Sequence, residues 1–181
     1  MKDEFVIVLD FLPHGKATDR KAEPLAQTIG EKYFNLLEVV IRDNTVVKPG
    51  DRLYVGENKR AEVKYIKGRI TYEELTGFAR SEVENTINNL VKNNEKKVTE
   101  FFNRAGPIST RFHALELLPG IGKKHLWRII RERKKKKFES FDDLHQRIKM
   151  FPDVRRIVVK RILDELKGEE RNRLFVGIGF Q

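Results

Sequence analysis

The stretch Leu118-Pro119-Gly120-Ile121-Gly122-Lys123-Lys124 constrains this chain more than any other. Proline has no N–H to continue a helix and restricts the residue before it. Gly120 and Gly122 permit positive φ and put no Cβ in front of the backbone. Thr110 to Leu117 precede the stretch without a breaker, and the spacing predicts a helix there. After it, Leu126, Ile129 and Ile130 recur at the helical period within His125 to Arg133. A helix, a tight turn and a second helix follow. The first amides of that second helix lack intrahelical acceptors, and the helix dipole favours negative charge at that end. Lys123 and Lys124 add charge at the same point. An oxygen-rich anion, most often a nucleic-acid phosphate, is the natural ligand.

The pattern apolar, Pro, Gly, apolar, Gly, basic resembles the helix-hairpin-helix motif over about two dozen residues. That resemblance implies hairpin amides holding backbone phosphates without reading bases. Further along, Ser140 reads as an N-cap with Asp143 three positions on, and Phe151-Pro152-Asp153-Val154 opens a last helix carrying Ile157, Val158, Ile162, Leu163 and Leu166. At an offset of 33 residues Pro119 falls on Pro152, Ile121 on Val154, Lys123 on Arg156 and Ile129 on Ile162. The second half is therefore an internal repeat, two hairpin units joined by a connector helix. The second copy has Asp153 for Gly120 and Arg155 for Gly122. It is expected to be mainly structural, because Asp153 would repel phosphate.

The charge distribution supports a polyanionic partner. The net charge is +10 over 181 residues. Residues 1–80 contribute +1 and residues 81–181 contribute +9, and Lys123 to Lys137 alone hold nine basic residues and one acid, Glu132. The run Lys134 to Lys137 also suits a helix C-terminus without any ligand. Cysteine is absent, so disulfides and thiolate metal sites are excluded. No apolar run approaches a membrane span, and Met1-Lys2-Asp3-Glu4 does not open a signal peptide. A cytoplasmic protein with no membrane partner is expected.

The first half reads as short strands: Phe5 to Leu12, Tyr33 to Ile41, Arg52 to Val55 and Ala61 to Lys67. Residues 14–28 read as a long loop. Strands at this spacing suggest a small, strongly bent antiparallel barrel, OB-like, with Phe34, Tyr54 and Tyr65 as candidate base-stacking residues. Thr71 to Glu74 reads as a capping box opening a short helix. A longer helix over about 82–103 follows, with Val83, Ile87, Leu90, Val91, Val98, Phe101 and Phe102 as its stripe. Leu174 to Phe180 reads as a terminal strand. The expected fold class is α+β: residues 1–80 an OB-like β-barrel, 81–105 a bracing helix, 106–170 a tandem helix-hairpin-helix domain, and 171–181 a C-terminal strand.

Convergent catalytic groups are not evident. His14, His113, His125 and His145 lack metal-ligand spacing, so no metal or other cofactor is expected. Asp10, His14 and Asp19 form a trio that any polar loop yields. Lys124 and Asp142 have the separation of a nucleophilic Lys and its Asp in some DNA glycosylases, but Asp142 also reads as a capping acid of the connector helix. The chain lacks the further helical domain that would form a base-flipping pocket.

The chain as a whole resembles an archaeal family of uncharacterised proteins with an OB-like N-terminal domain and a C-terminal tandem helix-hairpin-helix domain, the latter like that of the Holliday-junction-binding protein of bacterial recombination. Val8 to Gly15, Phe101 to Ala105 and the Leu117-to-Lys124 hairpin carry the resemblance. It implies nucleic-acid binding and supplies no reaction. The expected function is sequence-independent, non-catalytic binding of DNA or RNA through Gly120, Ile121, Gly122, Lys123, Lys124, His125, Arg128, Lys134, Lys135, Lys136 and Lys137. The alternative is a protein-interaction adaptor built on the degenerate pair. A lyase-like enzyme acting through Lys124 stands third.

Overall fold

The computed structural model describes residues 2–19 and 21–180. Its elements run β1 (Phe5–Leu12), β2 (Leu25–Gly30), β3 (Leu36–Ile41), β4 (Arg52–Tyr54), β5 (Val63–Arg69), α1 (Gly77–Asn93), α2 (Glu95–Arg104), a 3-10 turn (Ala114–Leu117), α3 (Lys123–Lys135), α4 (Phe141–Arg147) and α5 (Val154–Leu166). The class is α+β. The chain forms two compact units. The first takes residues up to Thr86 together with Glu165–Gly179, and the second takes Ile87–Asp164 together with Phe180.

In the first unit the strands make one antiparallel sheet in the order β4-β1-β2-β3-β5. The barrel expected from the sequence is open, with three-residue β4 and seven-residue β5 as its edges. Register shifts in β1 between Val8 and Asp10, and twice along the β3–β5 pair, mark bulges, which bend strands and increase their twist. Val6, Val8, Ala26, Leu37, Val39, Ile41, Leu53 and Val63 gather on one side as an apolar core with Phe11 against it. β2 and β3 are buried at every position, as central strands covered on both faces are.

β2 takes residues 25–30, so the loop expected over 14–28 is shorter. Its polar residues hid it. Gln27 and Thr28 are fully buried but satisfied: the Gln27 Nε2 donates to Glu38 Oε1 and to the Glu74 carbonyl, both at 3.0 Å, and the Thr28 hydroxyl donates to the Leu37 carbonyl at 3.1 Å. The remaining loop is tethered to β5 by Lys67 to Asp19 at 2.6 Å and by Lys64 and the Tyr65 hydroxyl to Glu23 at 2.9 and 2.7 Å. β3 begins only at Leu36. Phe34, a stacking candidate in the sequence, is fully buried in the left-handed region at φ 55° and is therefore part of the core.

The helical readings shift as well. Thr71 and Glu74 do pair, through the Thr71 amide at 2.7 Å, but in a turn. The helix starts later, where the Thr76 hydroxyl accepts from the Ala79 amide at 3.0 Å and is held by Asp10 at 2.6 Å. The single helix expected over 82–103 is two. Asn94 interrupts it, with its amide group donating back to the Leu90 carbonyl at 2.8 Å. Leu174 to Phe180 form turns in place of the expected strand. The Glu165 carboxylate gathers them by accepting from the amides of Leu174, Phe175 and Val176 at 2.7, 3.1 and 2.9 Å, and the Gly177 amide donates to the Tyr33 carbonyl at 2.7 Å.

In the second unit the helix expected over 110–117 shrinks to the 3-10 turn. His113 caps it: its Nδ1 accepts from the Leu115 amide at 3.2 Å, and Glu116 accepts from the His113 amide at 3.0 Å. The cap cannot be placed earlier, because the Ser109 hydroxyl already holds the Arg111 and Phe112 amides. Leu118-Pro119 ends the element, so one turn is all that fits. Elsewhere Ser140 caps α4 through the Asp143 amide at 3.1 Å, as the sequence suggests. α2 is fixed to this unit by reciprocal Asn103–Phe138 bonds at 2.8 and 3.0 Å and by Phe102 edge-on to Phe151.

Two outcomes are expected. Glu165→Ala strands three amides that now bond a carboxylate, and should lower stability by about 3 kcal/mol in urea unfolding, with Glu165→Gln losing roughly half as much. Burial, with Arg133 close by, holds the His113 imidazole below its ordinary value of 6.5. Its contribution is complete above pH 6.5 and is lost as pH falls through the lower native value. Wild type should therefore lose more stability between pH 7.5 and 5.5 than His113→Asn, whose side chain caps without titrating.

Candidate nucleic-acid interface

A tight turn joins the 3-10 turn to α3 at the expected position. Leu118 and Ile121 point into the unit, 2% and 4% exposed, and the Ile121 amide closes the turn on the Leu118 carbonyl at 3.1 Å. Gly120 has φ +79°, which favours glycine, and Pro152 of the second hairpin lies 3.7 Å from where its Cβ would be. Gly122 is different. Its φ of −89° suits any residue, and nothing lies within 4 Å of a Cβ placed there. Its lack of a side chain is what matters. Gly122 is the N-cap of α3 and offers no capping oxygen. The Leu126 amide is the first to find an intrahelical partner, the Gly122 carbonyl at 3.0 Å. Among the described residues, no side chain accepts from the amides of Lys123, Lys124 or His125, and both lysines are exposed.

The second hairpin answers the same problem from within. Asp153 accepts from the Arg156 amide at 2.8 Å, while its carbonyl takes the Ile157 amide at 3.0 Å. A carboxylate thus occupies the place at α5 that stays open at α3. The repeat is otherwise kept. Ile121 and Val154 are buried, as are Ile129 and Ile162. Arg128 on α3 donates to the Lys149 carbonyl at 3.3 Å, and Arg161, its counterpart 33 residues on, donates to the Leu117 carbonyl at 2.9 Å. Each second helix therefore reaches across to the other hairpin, as in a pseudo-two-fold pair.

The other predicted site residues fare unequally. His125 is half-buried and stands edge-on to Phe151, 5.6 Å between ring centres. Arg128 is likewise half-buried and engaged at Lys149. Lys134 and Lys135 form the last turn of α3, Lys136 is its C-cap and Lys137 lies beyond. At 1.5 Å per residue, Lys134 stands about 16 Å along the axis from Lys123. Lys135, Lys136 and Lys137 pair with Glu132, Glu139 and Glu100 at 2.7, 2.9 and 3.7 Å. The Lys135 bond holds the Glu132 carboxyl below its ordinary range. Only Gly120 to Lys124 is concentrated at the hairpin.

Sequence reasoning missed Trp127, which is 65% exposed one turn into α3. Its apolar neighbours, Leu126 and Ile129, are buried, and the helical period alone could have placed it on the outer face. Asp10 bonds Thr76 and Asp19 bonds Lys67, while His14 is exposed. Asp142 lies in the first turn of α4. Among the described residues, no three His, Asp or Glu side chains are grouped to hold a metal ion, and no helix is long and apolar enough to cross a membrane. In the first unit a cavity of about 560 Å³ is lined by Tyr54, Arg60, Ile66 and Arg69 among others. Tyr54 is half-buried and edge-on to Phe5, and the Tyr65 hydroxyl is held by Glu23.

Comparison with known proteins finds relatives along nearly the whole chain. A family model described as "Protein of unknown function (DUF655)" matches residues 2–177. The uncharacterized protein MJ0038 of Methanocaldococcus jannaschii is 41% identical over 174 residues, covering 96% of this chain and 79% of that protein. The crystal structure of Af1531 from Archaeoglobus fulgidus, titled as a DUF655 family member, aligns with a TM-score of 0.85 at 44% identity, over 96% of this chain and 99% of the other. The chain belongs to the DUF655 family.

Proposed function

We propose that the chain is a non-catalytic, sequence-independent nucleic-acid-binding protein whose second unit is a degenerate helix-hairpin-helix pair. One observation carries the reading. Of two hairpins related by an internal repeat, one caps its helix with the Asp153 carboxylate, and the other leaves its helix N-terminus bare behind Gly122 with two exposed lysines beside it. Open amides, a helix dipole and ammonium groups together favour a phosphate oxygen. The backbone of DNA or RNA supplies phosphates without demanding base contacts. Lys134 to Lys137 then act as distant electrostatic support. The OB-like reading of the first unit rests only on five strands, small size and a bulge-bent course, and the proposed function does not depend on it.

An adaptor role is the second reading. Exposed Ile108, Phe112 and Met150 on the loops of the second unit favour it, because they offer apolar surface that nucleic acid does not need.

Gly122→Asp decides between the two. Open space and ordinary backbone angles admit the side chain, and it should cap α3 as Asp153 caps α5, leaving thermal stability equal or slightly higher. Nucleic-acid binding should fall at least tenfold in a gel shift. Binding equal to wild type would sink the phosphate site and favour the adaptor. For the wild-type chain, affinity should fall with salt at a log–log slope of about −0.7 to −0.9 per phosphate neutralised. A flat salt profile would contradict the reading.

A further inference from the structure

We infer that the outer face of α3 is a binding strip for single-stranded nucleic acid, with Trp127 as the platform on which one unpaired base stacks. The inference rests on the reading above and names its ligand class. At 3.6 residues per turn, Lys123, Lys124, Trp127, Arg131, Lys134 and Lys135 fall within about 120° of arc on α3. All six are exposed, the arc contains no acid, and the opposite side carries buried Leu126 and Ile129. Trp127 lies at its middle, 65% exposed, and among the described residues none stacks on its ring or bonds its indole.

A lone exposed apolar residue needs no explanation by itself. A tryptophan in a strip with five cations, of which Lys135 is paired with Glu132, does, because charge and indole answer different parts of one ligand. The cations call for a polyanion. An exposed indole offers a π-face that any base can use, and stacking of this kind is sequence-tolerant. Intact duplex gives no free base face, so the ligand is single-stranded or locally unpaired. From Gly122 to Trp127 the rise is about 7 Å. A base on the indole is thus a nucleotide's reach from a phosphate at the hairpin. An anionic membrane fits less well: a helix lying in an interface needs an apolar face to insert, and the apolar face of α3 is buried in its own unit. An acidic peptide would use the cations and leave the indole idle.

Trp127 is the only tryptophan in the chain, so its emission reports on this face alone. The full-length protein is titrated at low salt with a single-stranded oligonucleotide, with its duplex, and with anionic phospholipid vesicles. Single strand should quench the emission at saturation. Trp127→Ala should weaken single-strand binding by about tenfold or more, Trp127→Phe should keep most of it, and duplex affinity should change less than twofold. If single strand binds and Gly122→Asp abolishes that binding, while Trp127→Ala binds like wild type and the emission does not move, the stacking platform is refuted and the phosphate site stands. If no nucleic acid binds and only vesicles change the emission, both are refuted.

Discussion

Buried Arg161 is the interaction on which the second unit depends. A guanidinium out of water must spend its donors on fixed acceptors. One goes to the Leu117 carbonyl at 2.9 Å, at the point where the 3-10 turn ends and the hairpin begins. Arg128 makes the reciprocal reach to Lys149 from a half-buried position. These bonds and the Gly120–Pro152 approach pin each hairpin against the other. The short first element is thus held at its end from outside. The order of the hairpin, and hence the direction in which the amides of α3 face, is a property of the pair.

Divergence within such a pair has a simple physical logic. A helix N-terminus needs an acceptor, and either the chain supplies one or the environment does. α5 carries its own in Asp153, which makes it self-sufficient and unavailable. α3 does not, so its first turn is finished by water or by a ligand. The arginines show the same asymmetry: Arg161 is a buried strut, whereas Arg128 keeps part of its surface in solvent. One copy carries the architecture, and the other is left freer at its surface.

The tight turn ahead of α3 and the Ser140 cap were legible in the sequence, since each is a local signal with fixed spacing. The α+β class was legible too. What was not legible depended on partners distant in sequence. β2 was lost because Gln27 and Thr28 look like loop residues until Glu38, Glu74 and Leu37 satisfy them. Phe34 looked like an exposed platform because its left-handed, buried position follows from the turn that precedes β3. The break at Asn94 and the turns around Glu165 likewise arise from side chains bonding backbone, which an apolar stripe does not record. In the candidate site, charge counts do not record Glu132, Glu139 and Glu100 standing opposite Lys135, Lys136 and Lys137.

The grip of Glu165 on three amides has a consequence for how the chain is made. Helices α2 to α5 of the second unit lie within Ile87–Asp164, and all are available once that segment has been synthesised. The first unit draws its sheet from the beginning of the chain, but Glu165 and the turns from Leu174 to Gly177 arrive only after those helices have emerged. During vectorial synthesis the sheet must therefore wait for its C-terminal turns while later-encoded helices fold. In that interval its open edge at β5 is protected by the bulges beside Lys64 and Lys67, whose charges discourage pairing with another chain.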